Sequence, residues 1–94
     1  MQFAADLREA VAAGEITVSV RLWQRPQVRV GGRYSVMGKA IEVTSVEFLP
    51  FSSITKTDVQ RCGEVNREAL RARAAHAGPV NDDTMVYRIG FRLA

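Results

Sequence analysis

Ser19, Arg21 and Trp23 stand at alternate positions near the end of the run Gly14 to Trp23. In an extended strand that spacing puts all three on one face, together with Thr17. Ile16, Val18, Val20 and Leu22 then form the other, apolar face. A hydroxyl, a guanidinium and an indole side by side suit a flat, anionic guest such as a nucleotide. The guanidinium forks onto phosphate or a base edge and the indole stacks on a base. The plainer alternative is a half-buried strand whose outer face carries a solvated arginine and a tryptophan capping the core edge.

Arg25, Arg29 and Arg33 follow Trp23 closely and complete the densest basic stretch of the chain. Pro26 keeps Arg25 out of helical geometry and Gly31-Gly32 permits a tight reversal, so residues 24–33 read as a loop. Four arginines interleaved with an aromatic suit a strand of nucleic acid; a solvated loop is the competing reading. The candidate binding residues are therefore Ser19, Arg21, Trp23, Arg25, Arg29 and Arg33.

Constellations for catalysis are sparse. Cys62 has no histidine near it in sequence, and His76 sits toward a helix end, where an exposed or capping role is ordinary. Glu42, Glu47 and Glu64 are the carboxylates to consider as bases, and none has a paired acid at readable spacing. Gly31-Gly32 lacks the lysine and spacing of a phosphate loop. Asp82-Asp83 reads as a turn. One cysteine and one histidine can make neither a disulfide nor a structural zinc site, so no metal and no cofactor is expected.

With 94 residues, 47% of them hydrophobic, the chain reads as a single domain over 1–94, large enough to bury about 60% of its unfolded surface. The net charge is +3, and 11 of the 13 cations are arginine, which favours a phosphate-bearing partner; GC-rich coding would also enrich arginine. There is no basic segment leading into an apolar one at the N-terminus, and no apolar run of about 18 residues. The sequence thus predicts a cytoplasmic protein without a membrane partner.

The elements that must hold the candidate residues follow from periodicity and punctuation. Phe3, Leu7 and Val11 predict a helix over 2–13, ended by Gly14 in a left-handed turn. Arg33–Met37 and Ala40–Phe48 predict a hairpin through a type II′ turn at Gly38-Lys39. The apolar parity slips between Val43 and Val46, which predicts a β-bulge at Thr44-Ser45. Thr57 to Gln60 has the form of a capping box opening a short helix that stops near Gly63. Asn66 caps a longer helix with Leu70, Ala74 and Ala77 inward and Arg67, Arg71 and Arg73 outward, closed by Gly78-Pro79. Met85–Leu93 predicts the last strand. Strands at both ends with a bulged hairpin between predict an α+β fold built on a small mixed β-barrel.

Gly14 to Trp23, Val30-Gly31-Gly32-Arg33-Tyr34 and Ala40 to Glu47, with the tail Asp58 to Gly63 and Tyr87 to Phe91, resemble the ASCH domain family of the PUA-like superfamily over about residues 5–92. The resemblance implies a barrel of five or six strands with flanking short helices, and a cleft beside the first strand proposed in that family to bind RNA. Gly14 matches the glycine of the signature Gly-x-Lys-x-x-Glu-x-Arg and Arg21 its arginine. Ser19 stands at the Glu position and Ile16 replaces the lysine. Some small members resemble acetylcytidine amidohydrolases, which use that lysine; an aliphatic side chain cannot act as base, nucleophile or charge stabiliser. The expectation is an RNA- or nucleotide-binding module. Its alternatives are a small hydrolase of a modified nucleoside or of RNA, using Ser19 with Glu42, Glu47 or Glu64, and a domain whose partner is another protein.

Overall fold

The computed structural model describes residues 1–94. Its elements run α1 (Arg8–Ala12), β1 (Val18–Arg21), β2 (Arg33–Val36), β3 (Lys39–Pro50), α2 (Lys56–Arg61), α3 (Arg67–Ala74) and β4 (Met85–Leu93). The four strands form one sheet in the order β1-β4-β3-β2, every neighbour antiparallel. The closing strand is central rather than terminal. β1 and β2 are the two edges and do not pair, so the sheet is open, with four strands instead of the five or six of a mixed barrel.

Apolar layers cover both faces, which is why β4 carries aromatic and aliphatic residues on one side and Val86 on the other. The first layer gathers Tyr87, Ile89 and Phe91 of β4, Ile41 and Val43 of β3, Val11 of α1, and Phe3 and Val28. The second gathers Val18 and Val20 of β1 with Phe51, Ile54, Val59, Cys62, Leu70 and Ala74 under α2 and α3. Ile16 is buried as its parity predicts, but it packs in the first layer, not with Val18 and Val20. It precedes the strand, and its N–H still bonds back to the Ala10 carbonyl of α1, so strand alternation does not reach it.

The parity slip is a bulge: β3 and β4 shift register between Val43 and Ser45. Gly90 lies opposite, and a Cβ there would collide with Ser45 Oγ, so the bulge occupies the space that a side chain would need. The hairpin turn lies one residue earlier than its glycine suggested. Val36 pairs with Lys39, and Met37 and Gly38 both have positive φ (50° and 77°), the signs of a type I′ turn.

Local helix signals fared unevenly. Gly14 (φ 79°) ends α1 in the left-handed region, but the helix begins only at Arg8, and Phe3 enters the core from the irregular segment before it. The capping box starts at Thr55, two residues before the predicted Thr57: the Thr55 N–H bonds to the Asp58 carboxylate while the Asp58 N–H bonds to the Thr55 hydroxyl. Asn66 caps α3 as expected, accepting from Ala69 N at 2.8 Å. Leu70 and Ala74 face inward, but Ala77 is exposed in a following 3-10 turn.

The arginines of α3 are not a solvated face. Arg67 donates to the carbonyls of Phe51 and Ile54, and Arg71 to that of Val80; both guanidinium groups lie over the Phe51 ring. Arg73 pairs with Glu64 and, through both terminal nitrogens, with Asp6. These contacts tie α3 to the chain before α2, to the turn before β4 and to the N-terminal segment. No helix is long and apolar enough to cross a membrane.

A candidate nucleotide-binding cleft at the free edge of the first strand

β1 is an edge strand, and a cleft of about 580 Å³ runs along it. Gln2, Phe3, Ala4 and Leu7 form one wall; α3 and the turn to Ala77 form the other; Ile16, Cys62 and Glu64 lie at its inner end. That volume lies within the range of small-molecule sites, which are typically about 300–1,000 Å³. The Thr17 carbonyl accepts from Phe91 N–H, and antiparallel pairing alternates. The backbone groups of Ser19 and Arg21 therefore turn toward β4, and those of Val18, Val20 and Leu22 toward the cleft.

The register places Ser19 opposite Ile89 and Arg21 opposite Tyr87, so both side chains rise on the first-layer side of the sheet. Arg21 Nε donates to Ser19 Oγ at 2.7 Å and Nη2 to the Gln2 carbonyl at 2.5 Å. The guanidinium carbon lies 5.1 Å from the centre of the Phe3 ring and 5.8 Å from that of Trp23. Burial lowers its pKa from the usual arginine value, yet a guanidinium remains a cation at neutral pH. Arg21 forms no salt bridge, and its Nη1 makes no hydrogen bond within the protein. Since no buried side-chain nitrogen or oxygen lacks a partner, that nitrogen reaches solvent. The cleft thus holds a positioned cation between two aromatic rings with a donor to spare.

The other charges in the cleft are already committed. Glu64 is almost fully buried and bound to Arg73, whose pKa is raised first by Asp6 and then by Glu64. Cys62 lies under Val20, and burial, with the nearby Asp58 and Glu64 carboxylates, pushes its thiol up to about 12. It is inert as a nucleophile at neutral pH. His76 is exposed and lines both this cleft and a neighbouring groove that contains Trp23 and Arg25.

Of the six residues singled out in the sequence, Ser19, Arg21 and Trp23 come together, and Arg25 joins them from the adjoining groove. Arg29 and Arg33 do not. The Gly31-Gly32 turn pairs with Val43 and leads into β2, so both follow the chain to the opposite edge of the sheet. There Arg33 bonds to Glu42, whose carboxyl is held below its ordinary range by Arg92 and then Arg33. Glu47 pairs with Arg88 on the helix-covered face. Glu64 is thus the only one of the three considered carboxylates to share the cleft with Ser19. Gln2, Phe3 and Arg73 carry no sequence signal for a place in this cleft, because each reaches it only through contacts distant in the chain.

No family model matches the sequence, and no curated protein matches it. Solved structures share the fold. An ASCH domain from Lactobacillus crispatus JV V101 superposes with a TM-score of 0.78 at 19% identity, over 99% of this chain and 77% of that one. A DUF984 protein from Enterococcus faecalis V583 gives 0.71 at 14% identity, over 95% and 67%. The fold is ASCH-like, as the order of sequence pieces implied.

Proposed function

We propose that this ASCH-like chain binds single-stranded RNA, or a nucleotide unit of it, in the cleft along β1. Arg21 contacts a phosphate or a base edge, Trp23 stacks a base, Ser19 steadies the guanidinium, and Arg25 supplies attraction to the backbone at the mouth. Arg29 and Arg33 contribute at most long-range attraction from the far edge. The observation that carries the reading is the state of Arg21: a cation in an apolar cleft, without a carboxylate, fixed between Phe3 and Trp23 and keeping an unused donor. The ASCH-like fold supports the same reading, since RNA binding is proposed across that family.

The hydrolase reading retains only Glu64 beside Ser19, and Arg73 engages that carboxylate. Lys39 opens β3 beside β2, at the far edge, so it does not replace the missing lysine.

Trp23 is the only tryptophan, so its fluorescence reports on this cleft and the groove beside it. Titration with ribonucleoside monophosphates and with single-stranded RNA should perturb it, with RNA affinity falling as salt rises. Arg21→Ala should weaken binding by about 1–3 kcal/mol, roughly fivefold to a hundredfold. Binding insensitive to both salt and that substitution would remove the proposal. Turnover of acetylcytidine or RNA by the wild type, lost in Arg21→Ala, would instead favour the hydrolase.

A further inference from the structure

From the cleft outward, three aromatic rings run side by side across the sheet. Tyr87 of β4 lies directly opposite Arg21 of β1 on one side and Phe48 of β3 on the other. The Trp23 ring reaches the same place from just past the end of β1. Its centroid lies 6.1 Å from that of Tyr87, and the Phe48 centroid lies 4.6 Å from it on the other side. Tyr87 is buried as the middle of this row, while Phe48 is 53% exposed.

A lone exposed phenylalanine needs no explanation. Phe48 is not alone: it continues the row that begins at the cation-flanked Trp23. The two carboxylates of β3, Glu42 and Glu47, fall on the other face, where Arg33, Arg92 and Arg88 neutralise them. This face therefore presents an apolar, π-rich strip with Arg21 and Arg25, both free of salt bridges, at one end. That arrangement is complementary to a polyanion carrying stackable bases. Trp23 and Phe48 are separated by two strand spacings, roughly 10 Å, a span that neighbouring nucleotides of an extended strand can bridge.

We propose that Phe48 is a second base-stacking platform, so that single-stranded RNA seated on Trp23 continues over Tyr87 and lays a following base on Phe48. The proposal rests on the nucleotide-binding reading of the cleft and extends the ligand from one nucleotide to an oligonucleotide.

The test compares the four ribonucleoside monophosphates with a mixed-sequence RNA hexamer against wild type, Arg21→Ala and three variants of Phe48. Phe48→Ala and Phe48→Leu should leave monophosphate affinity unchanged and weaken the hexamer on the order of tenfold, the stacking contribution of one base. Phe48→Leu preserves an apolar contact with Tyr87 and so separates stacking from packing. Phe48→Tyr, which keeps the ring, should bind the hexamer like wild type. If Arg21→Ala loses both ligands and the Phe48 variants lose neither, the platform falls and the cleft reading stands. If wild type binds neither ligand, both fall. If Phe48→Ala lowers the mass in sedimentation without changing hexamer affinity, the strip is a self-association face and the platform is overturned.

Discussion

Arg88→Ala should destabilise the fold by about 3 kcal/mol, the lower end of what breaking a buried ion pair costs. For a domain of this size that is a fall in Tm of about 12–24 °C. Asp58 is a buried charged residue, at 3% exposure, and Arg88 Nε meets its carboxylate at 2.9 Å from the middle of β4. The same guanidinium holds Glu47 of β3 at 2.6 Å. One side chain thus bolts the first turn of α2 onto the two central strands. Without it Asp58 keeps only its capping bonds to Thr55 and is left a buried, half-compensated anion.

The pH dependence has a definite sign. Burial alone would raise the Asp58 carboxyl, but the bonds from Thr55 and the charge of Arg88 outweigh it and hold the pKa below its ordinary 3.8. A group lowered on folding contributes fully above its unfolded value and loses that contribution as pH falls through the folded one. Wild type should therefore lose stability below about pH 4. Arg88→Ala should lose less over that window, because its Asp58 has already been pushed up. Asp6 and Glu42, also lowered, act alike in both proteins. Urea unfolding at pH 7 and pH 3 measures both effects. Equal midpoints for the two proteins at pH 7 would show that the Asp58–Arg88 pair does not hold α2 to the sheet.

What the sequence made legible here was governed by neighbours in the chain. The parity slip between Val43 and Val46 is a bulge, Asn66 is a cap, Gly14 ends a helix, and β4 spans Met85–Leu93 as its alternation says. Each obeys a rule that needs only a few consecutive residues. The failures share the opposite character. Residues 2–7 have helical periodicity, but Phe3 gains more by entering the core beside Phe91 (5.5 Å between centroids) than by continuing the helix. Arg67, Arg71 and Arg73 look like a solvated stripe until carbonyls and carboxylates from outside α3, 9 to 67 residues away, are folded against them. Strands at both ends of the chain and a bulged hairpin between them predict a barrel, whereas closure depends on whether β1 and β2 meet.

The site divides in the same way. Alternation suffices to place Ser19 and Arg21 on one face, and Trp23 follows by continuity. Proximity in sequence misleads for Arg29 and Arg33, because the Gly31-Gly32 turn between the two joins Val43 and leads the chain into β2 at the opposite edge of the sheet. The second wall of the cleft, from Glu64 to Ala77, is invisible from β1 for want of any local signal.

Ile16→Lys should be at least as costly as the loss of Arg88, about 3–5 kcal/mol, from the lost apolar burial and the desolvated amine together. Ile16 is 4% exposed among Phe3, Val11 and Phe91. Its Cδ1 fills the space over Gly63, where an added Cβ would approach to 2.6 Å. Gly63 itself has φ 78° and ends α2, so the backbone there resists moving aside. An ammonium group at this point would have apolar neighbours, with Glu64 already held by Arg73. The amine's pKa should fall well below the usual ~10.4. A lysine lowered on folding binds more protons when unfolded, so the deficit should shrink as pH rises from 7 toward 10. Guanidinium unfolding at those two values tests this directly. A variant as stable as wild type at pH 7, with no gain at pH 10, would mean that the amine escapes along the cleft to water and that position 16 is not core. The expected result carries the functional point. Position 16 is hydrophobic core at the edge of the cleft, and its aliphatic side chain offers the cleft neither a base nor a charge.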